Sequence, residues 1–221
     1  MPPLNNDSTT SLAAIRDADP SRPFVIAQLG QSLDGRIATP TGESRWINRD
    51  AALDHLHRLR AAVDAVVVGV GTVIADDPQL NVRRIALAGG QRQPARIVVD
   101  PSGRLPATAK LLTRDGAEVL AINASDCTVT PPCAALKIER SNTGLCPTAI
   151  VKALFERGFK RLLIEGGAHT VSRFIDAGAV DRLHVLVAPM IIGSGQPGLE
   201  LPPIAQLGQA LRPPTIVCVL A

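Results

Sequence analysis

Tyrosine is absent from this 221-residue chain, tryptophan occurs once and phenylalanine four times, so aromatic residues make up only 2% of it. Its interior therefore has to be packed by Val, Ile, Leu and Ala. The same shortage removes the aromatic platforms on which nucleobases stack. The formal charge is only +3, and the basic residues are scattered rather than gathered into a run, so no nucleic-acid partner is expected. Long hydrophobic runs are also missing. No stretch approaches the roughly 20 apolar residues that span a bilayer, and Met1 to Asp19 lacks the apolar centre of an export signal. The expectation is a cytoplasmic protein with no membrane contact. Cys127, Cys133, Cys146 and Cys218 form no Cys-x-x-Cys pair and have no nearby His pair, which argues against a zinc site and leaves them as ordinary thiols; no metal is expected.

What is present is aliphatic. Hydrophobic residues account for 46% of the chain and charged ones for 19%, enough to bury one sizeable core. Residues 1–20, polar from Asn5 to Thr10 and closed by Pro20, read as a disordered tail, with 21–221 as a single domain. Strands are expected at Phe24–Leu29, Ala65–Gly69, Arg96–Asp100, Glu118–Ile122, Leu162–Glu165 and Leu183–Ala188. Between them, Leu53, Leu56, Leu59 and Val63 repeat at helical spacing, with Asn48 or Asp50 to cap that helix. Ala149–Arg157 and Thr170–Ala177 are further helices. Alternation of this kind predicts an α/β protein with a mostly parallel central sheet flanked by helices. The last apolar run, Thr215–Leu220, is expected to add an antiparallel C-terminal strand.

Two glycine turns follow buried strands. Gly69-Val70-Gly71-Thr72 lets the backbone approach a ligand, but a dinucleotide fingerprint would need a third glycine where Ile74 stands. Read alone, it suits a packing turn as well as a ligand loop. Glu165-Gly166-Gly167-Ala168-His169-Thr170 leads from a strand into a helix, where unpaired amides and the helix dipole favour a diphosphate. Arg60 and Arg83 suit a phosphate, because a guanidinium can grip two oxygens at once; each taken singly also suits a solvated surface. Asp76-Asp77-Pro78 is either a turn or, beside a reducible C=N bond, a source of protons.

The segments Gly30-Gln31-Ser32-Leu33-Asp34-Gly35-Arg36, Leu59-Arg60-Ala61-Ala62-Val63-Asp64-Ala65, Gly69-Val70-Gly71-Thr72-Val73, Asp76 to Arg83, Glu165-Gly166-Gly167 and Ala188 to Gly193 together resemble the reductase domain of riboflavin biosynthesis. The resemblance spans most of the chain in the family's order. It implies a dihydrofolate-reductase-like fold, a homodimer, and reduction by NADPH of the ribosylamino side chain of a diaminopyrimidinone 5′-phosphate to ribitylamino. Carried over by motif, Ser44, Arg60, Leu80, Arg83 and Glu165 hold the phosphorylated substrate. Gly30, Trp46, Gly71, Thr72, Asp76, Gly167, Ala168, His169 and Thr170 hold the cofactor, His169 through its backbone. Gln28 stands where many bacterial members carry a lysine, which throws proton transfer onto Asp77 as the catalytic residue. The zinc deaminase joined to bacterial members is not expected, since no His-x-Glu is followed by Pro-Cys-x-x-Cys. One alternative keeps the fold and cofactor, a reductase of a pterin or secondary-metabolite intermediate; another, of a different class, is a non-catalytic NADPH-binding or regulatory protein.

Overall fold

In the computed structural model, which describes residues 8–44 and 47–220, the unbroken aliphatic runs form the strands expected of them. In chain order the elements are α1 (Ser8–Arg16), β1 (Phe24–Ser32), β2 (Arg36–Ala38), α2 (Asp50–Ala61), β3 (Ala65–Gly69), α3 (Val70–Asp76), β4 (Ala95–Val99), β5 (Val119–Ala124), β6 (Ala134–Ile138), β7 (Arg140–Ser141), β8 (Gly144–Leu145), α4 (Pro147–Glu156), β9 (Arg161–Ile164), α5 (Ala168–Asp176), β10 (Arg182–Ala188) and β11 (Gln196–Pro197). Seven of the strands form one sheet in the order β10-β1-β9-β3-β4-β5-β6, and each adjacent pair in it is parallel. Side chains alternate across it. Ala65 and Val67 of β3 pack with Ile150 and Leu154 of α4 and Val171 and Phe174 of α5, whereas Val66 and Val68 pack with Ile15, Leu59 and Val73 from the first three helices. Both faces of the central strands are thus covered, which is why they read as continuous apolar runs.

Four expectations need correction. The segment taken as a disordered tail contains α1; its Ile15 is fully buried, and the Ile15 carbonyl accepts a 2.7 Å hydrogen bond from Arg161 Nε. Two apolar anchors, Ile15 and the half-buried Leu12, and a distant arginine order a stretch whose composition reads as polar, while residues 1–7 lie outside the described ones. Neither Asn48 nor Asp50 caps α2: Arg49 occupies the cap position, and no side chain bonds there. Gly69-Val70-Gly71-Thr72 is the start of α3 rather than a loop, because the two positions after Gly69 enter helical geometry at once. Residues 210–220 contain no strand; Pro213 and Pro214 remove two amides from the start of any ladder, and Ile216, Val217 and Val219 lie exposed. The last strand of the chain is instead β11, antiparallel to β2.

Candidate active site

The chain steps from β3 to β4, β5 and β6 toward one edge of the sheet, then returns through β9, between β1 and β3, to β10 at the other edge. Strands leave the middle in opposite directions, and a crevice opens at their carboxyl ends. It is a cleft of about 1140 Å³, bordered by Gln28 to Gly30 within β1, Gly69 to Thr72 where β3 passes into α3, Val99, Pro101 and Arg104 at and beyond the end of β4, and Gly166 to Thr170 after β9.

The two glycine turns interlock in its floor. A Cβ on Gly69 would collide with Thr170 Oγ1, and one on Gly166, where φ is +113°, would lie 2.8 Å from Thr72 Oγ1. Thr72 Oγ1 also accepts a 3.1 Å hydrogen bond from the Gly167 amide. Each turn therefore leaves room for a threonine of the other, and only glycine permits both the approach and the positive φ. No side chain caps α5, so its amino-terminal turn is presented to the cleft. Gly30 meets a similar neighbour: the Asn48 amide occupies the space its Cβ would fill, and Asn48 Oδ1 is buried without a hydrogen-bond partner.

Ser44, Gly30, Gly71, Thr72, Asp76, Gly167, Ala168, His169 and Thr170 all border the cleft, as does Gln28, which is buried. Trp46 lies outside the described residues. Arg60, Leu80, Arg83 and Glu165 form a second group beside the cleft rather than in its lining. Arg60 and Glu165, 6% and 5% exposed, pair through two hydrogen bonds, Nε to Oε1 at 2.8 Å and Nη2 to Oε2 at 2.7 Å. Burial alone would lower the Arg60 pKa, but the carboxylate offsets this and holds it above its ordinary value. The remaining guanidinium nitrogen, Nη1, donates to the Asn81 carbonyl at 3.1 Å and ties the loop from Asp77 to Arg83 to the pair.

That loop is strained. Asp77 and Leu80 both have positive φ, 43° and 55°, and Leu80 is buried, an arrangement that costs a bulky residue free energy and persists only where surroundings enforce it. Its end is fixed by the Arg83 amide, which donates to His57 Nδ1 at 3.1 Å, and by Arg83 Nη1, which donates to Asn81 Oδ1 at 3.1 Å. The Arg83 guanidinium is exposed, its pKa lowered by partial burial and then by the neighbouring Arg60 and Arg84. Arg60 is neutralised by Glu165 and Arg84 by Asp50 and Asp54, so Arg83 is the member of the three with no carboxylate partner among the described residues. His57 is correspondingly neutral, pushed down to about 4 by burial and these arginines.

Asp77 does not fit the role of proton donor. Its carboxylate accepts from the Lys110 amide at 2.8 Å and pairs with Lys110 Nζ at 3.1 Å, contacts that lower its pKa and keep it ionised. It is also absent from the cleft lining.

Sequence reading missed Arg104 and Arg173, two cations bordering the cleft. Arg104 carried a legible signal, since it follows the carboxyl end of a parallel strand through a Pro-Ser-Gly turn; Arg173 sits inside a helix and had none. A second buried pair was also missed: His55 Nε2 lies 3.2 Å from His184 Nδ1.

A parallel α/β sheet with a crevice at its switch point, floored by paired glycine turns and flanked by a buried Arg-Glu pair, is the framework of an α/β enzyme domain with its site at the carboxyl ends of the strands. Comparison with known proteins makes this specific. The family model described as RibD C-terminal domain matches residues 23–212, and the chain belongs to that family. It is 36% identical over 178 residues to the riboflavin biosynthesis protein RibD of Aquifex aeolicus, covering 79% of this chain and 48% of that protein. It is 35% identical over 179 residues to the 2,5-diamino-6-ribosylamino-4(3H)-pyrimidinone 5′-phosphate reductase of Methanothermobacter thermautotrophicus, covering 78% and 80%. The chain thus spans about half the length of the bacterial relative. Acinetobacter baumannii RibD, a solved structure, superposes with a TM-score of 0.74 at 32% identity, over 86% of this chain and 52% of that one. The fold is the dihydrofolate-reductase-like one implied by the sequence motifs.

Proposed function

We propose that this protein uses NADPH to reduce the ribosylamino side chain of an amino- or diamino-ribosylaminopyrimidinone 5′-phosphate to ribitylamino, a step of riboflavin biosynthesis. The observation that carries this reading is the coincidence of the glycine-floored cleft with the Arg60–Glu165 pair and the cationic loop beside it. The floor suits a dinucleotide: Gly69 and Gly166 let the two turns pack tightly against Thr170 and Thr72, and the uncapped start of α5 beside them favours a diphosphate. Gly30, Gly71, Thr72, Asp76 and the turn from Gly167 to Thr170 would hold the cofactor, which when bound supplies a hydride to C1′ of the opened sugar imine.

The chain's own residues bind and orient. Arg83 carries the exposed guanidinium for the 5′-phosphate, and Ser44 borders the cleft from its outer rim. Arg60 acts on that site through Asn81: locked to Glu165, it sets the loop that presents Leu80 and Arg83. Gln28 is a carboxamide and releases no proton, and Asp77 is ionised against Lys110. Neither of these two side chains therefore supplies the proton that completes the amine.

Leu183, Val185 and Val187 lie exposed along one face of the edge strand β10, continued by Met190 and Ile191. Burying this face supports a homodimer. None of the described helices is long and apolar enough to cross a membrane, in keeping with a cytoplasmic reaction.

The test is oxidation of NADPH by the purified protein with each pyrimidine phosphate, deaminated and not. Turnover is expected with at least one. Arg83→Ala should raise the substrate KM about tenfold or more, a charge-assisted contact being lost, with the NADPH KM within twofold. No turnover on either substrate, or turnover only on an unphosphorylated pterin, overturns the proposal.

A further inference from the structure

Residues 77–94, between α3 and β4, form neither helix nor strand, so their main-chain polar groups need partners from elsewhere. Around Asn81 to Arg84 one stripe of α2 supplies them. Asp50, Asp54, His57 and Arg60 recur at spacings of three and four and so lie along one side of that helix. From the end of the helix toward its start, Arg60 Nη1 donates to the Asn81 carbonyl at 3.1 Å, and His57 Nδ1 accepts the Arg83 amide at 3.1 Å. Asp54 and Asp50 then accept from Arg84, from its Nε at 2.6 Å and its Nη2 at 2.8 Å. The loop therefore runs antiparallel to the helix and in register with it.

A second side chain closes the gap between these contacts. The Gln93 carboxamide takes both main-chain groups of Val82: its Oε1 accepts the amide at 2.7 Å, and its Nε2 donates to the carbonyl at 2.9 Å. Every main-chain polar group from the Asn81 carbonyl to the Arg83 amide is thus held by a side chain, and the two peptide planes flanking Val82 are fixed. Arg83 leaves the main chain at the end of this clamp, with Nη1 tied back to Asn81 Oδ1 and the rest of its guanidinium exposed. His57 is buried and Gln93 half-buried, and neither borders the cleft. What they do for the site they do through Arg83. An imidazole that accepts through Nδ1 carries its proton on Nε2, and a carboxamide both donates and accepts, so each is matched to the groups it holds.

We propose that His57 and Gln93 are positioning residues for the substrate phosphate: together they hold the main chain at Val82 and Arg83, so that the Arg83 guanidinium is aimed before the substrate arrives. The inference rests on the reading of Arg83 given above and goes beyond it by naming the side chains that aim it. Preorganisation of this kind acts on affinity. Where only a fraction of the molecules holds Arg83 in place, the apparent dissociation constant rises by the inverse of that fraction, while the saturated enzyme turns over as before.

The experiment is steady-state kinetics of the full chain with NADPH and the pyrimidine phosphate it reduces, for the unmodified protein, His57→Leu, His57→Asn, Gln93→Leu, Arg83→Ala and the double variant Arg83→Ala with His57→Leu. His57→Leu and Gln93→Leu should each raise the substrate KM about fivefold or more, with kcat within about threefold and the NADPH KM within about twofold. His57→Asn, whose Oδ1 can stand where Nδ1 does, should recover most of the loss. With Arg83 already removed there is nothing left to aim, so His57→Leu should then add less than about twofold. Far-UV circular dichroism reports whether each variant is folded; if His57→Leu is not, the half-buried Gln93→Leu decides the matter. An unchanged substrate KM in the folded single variants overturns the assignment while Arg83 keeps its role. So does a loss that falls on kcat and both KM values alike, or one that recurs in full in the Arg83→Ala background. If the unmodified protein turns over neither pyrimidine phosphate, or Arg83→Ala leaves the substrate KM unchanged, the phosphate reading itself fails and the assignment with it.

Discussion

Glu165→Gln isolates the role of the buried ion pair. The substitution keeps the size and shape of the side chain but removes its charge, leaving the Arg60 guanidinium, only 6% exposed, without a counterion. One of the two atoms now facing Arg60 is an amide nitrogen, so one of the two short hydrogen bonds is also lost. Removing one member of a buried pair costs about 3–5 kcal/mol, because the partner charge stays desolvated. Against a total stability of about 5–15 kcal/mol this is large, and in a domain of this size it corresponds to a fall in Tm of roughly 10 °C. Urea unfolding followed by far-UV circular dichroism measures it. The double variant Arg60→Met with Glu165→Leu should recover most of the loss, since no uncompensated charge then remains. A cost for Glu165→Gln below about 1 kcal/mol, or a double variant no more stable than the single one, would refute the reasoning.

Two further outcomes follow from the geometry. Gly69→Ala places a methyl group against Thr170 Oγ1 without requiring a positive φ, and overpacking of this kind costs about 1–3 kcal/mol. Thr170→Ala should restore stability in the double variant, and strictly additive effects in a double-mutant cycle would show that the two turns do not touch. His184 is neutral in the fold: burial, then His55 and Arg182, push its pKa down to about 4 from an ordinary 6.5. As pH falls below 6.5 the unfolded chain takes up the proton first, so stability is full above that value and is lost down to about pH 4, by about 3 kcal/mol for this residue. Urea midpoints at pH 7.5 and 5 should therefore differ less in His184→Gln than in the unmodified protein; an identical difference contradicts the buried neutral histidine.

Much of the sheet was legible because its strands are short aliphatic runs covered on both faces, as at Val66 to Val68 and Leu162 to Ile164. β6 escaped notice for the opposite reason: it is an edge strand with most of Ala134–Ile138 exposed, and nothing in its pattern demands burial. α3 was hidden by its seven-residue length, its glycine and the Asp-Asp-Pro that follows. α1 was hidden because a distant partner, Arg161, supplies what its own composition lacks.

By itself the sequence determined the class of sheet and the places where glycine lets the backbone pack closely at the ends of the strands, because aliphatic periodicity and glycine act locally. Only the tertiary structure decided which charges are free. Arg60 and Glu165 stand 105 positions apart and neutralise one another, Asp77 and Lys110 stand 33 apart and do the same, while no carboxylate pairs with the exposed Arg83 or Arg104 among the described residues. The free energy of a charge is set by its neighbours in space, and chain separation carries no record of them.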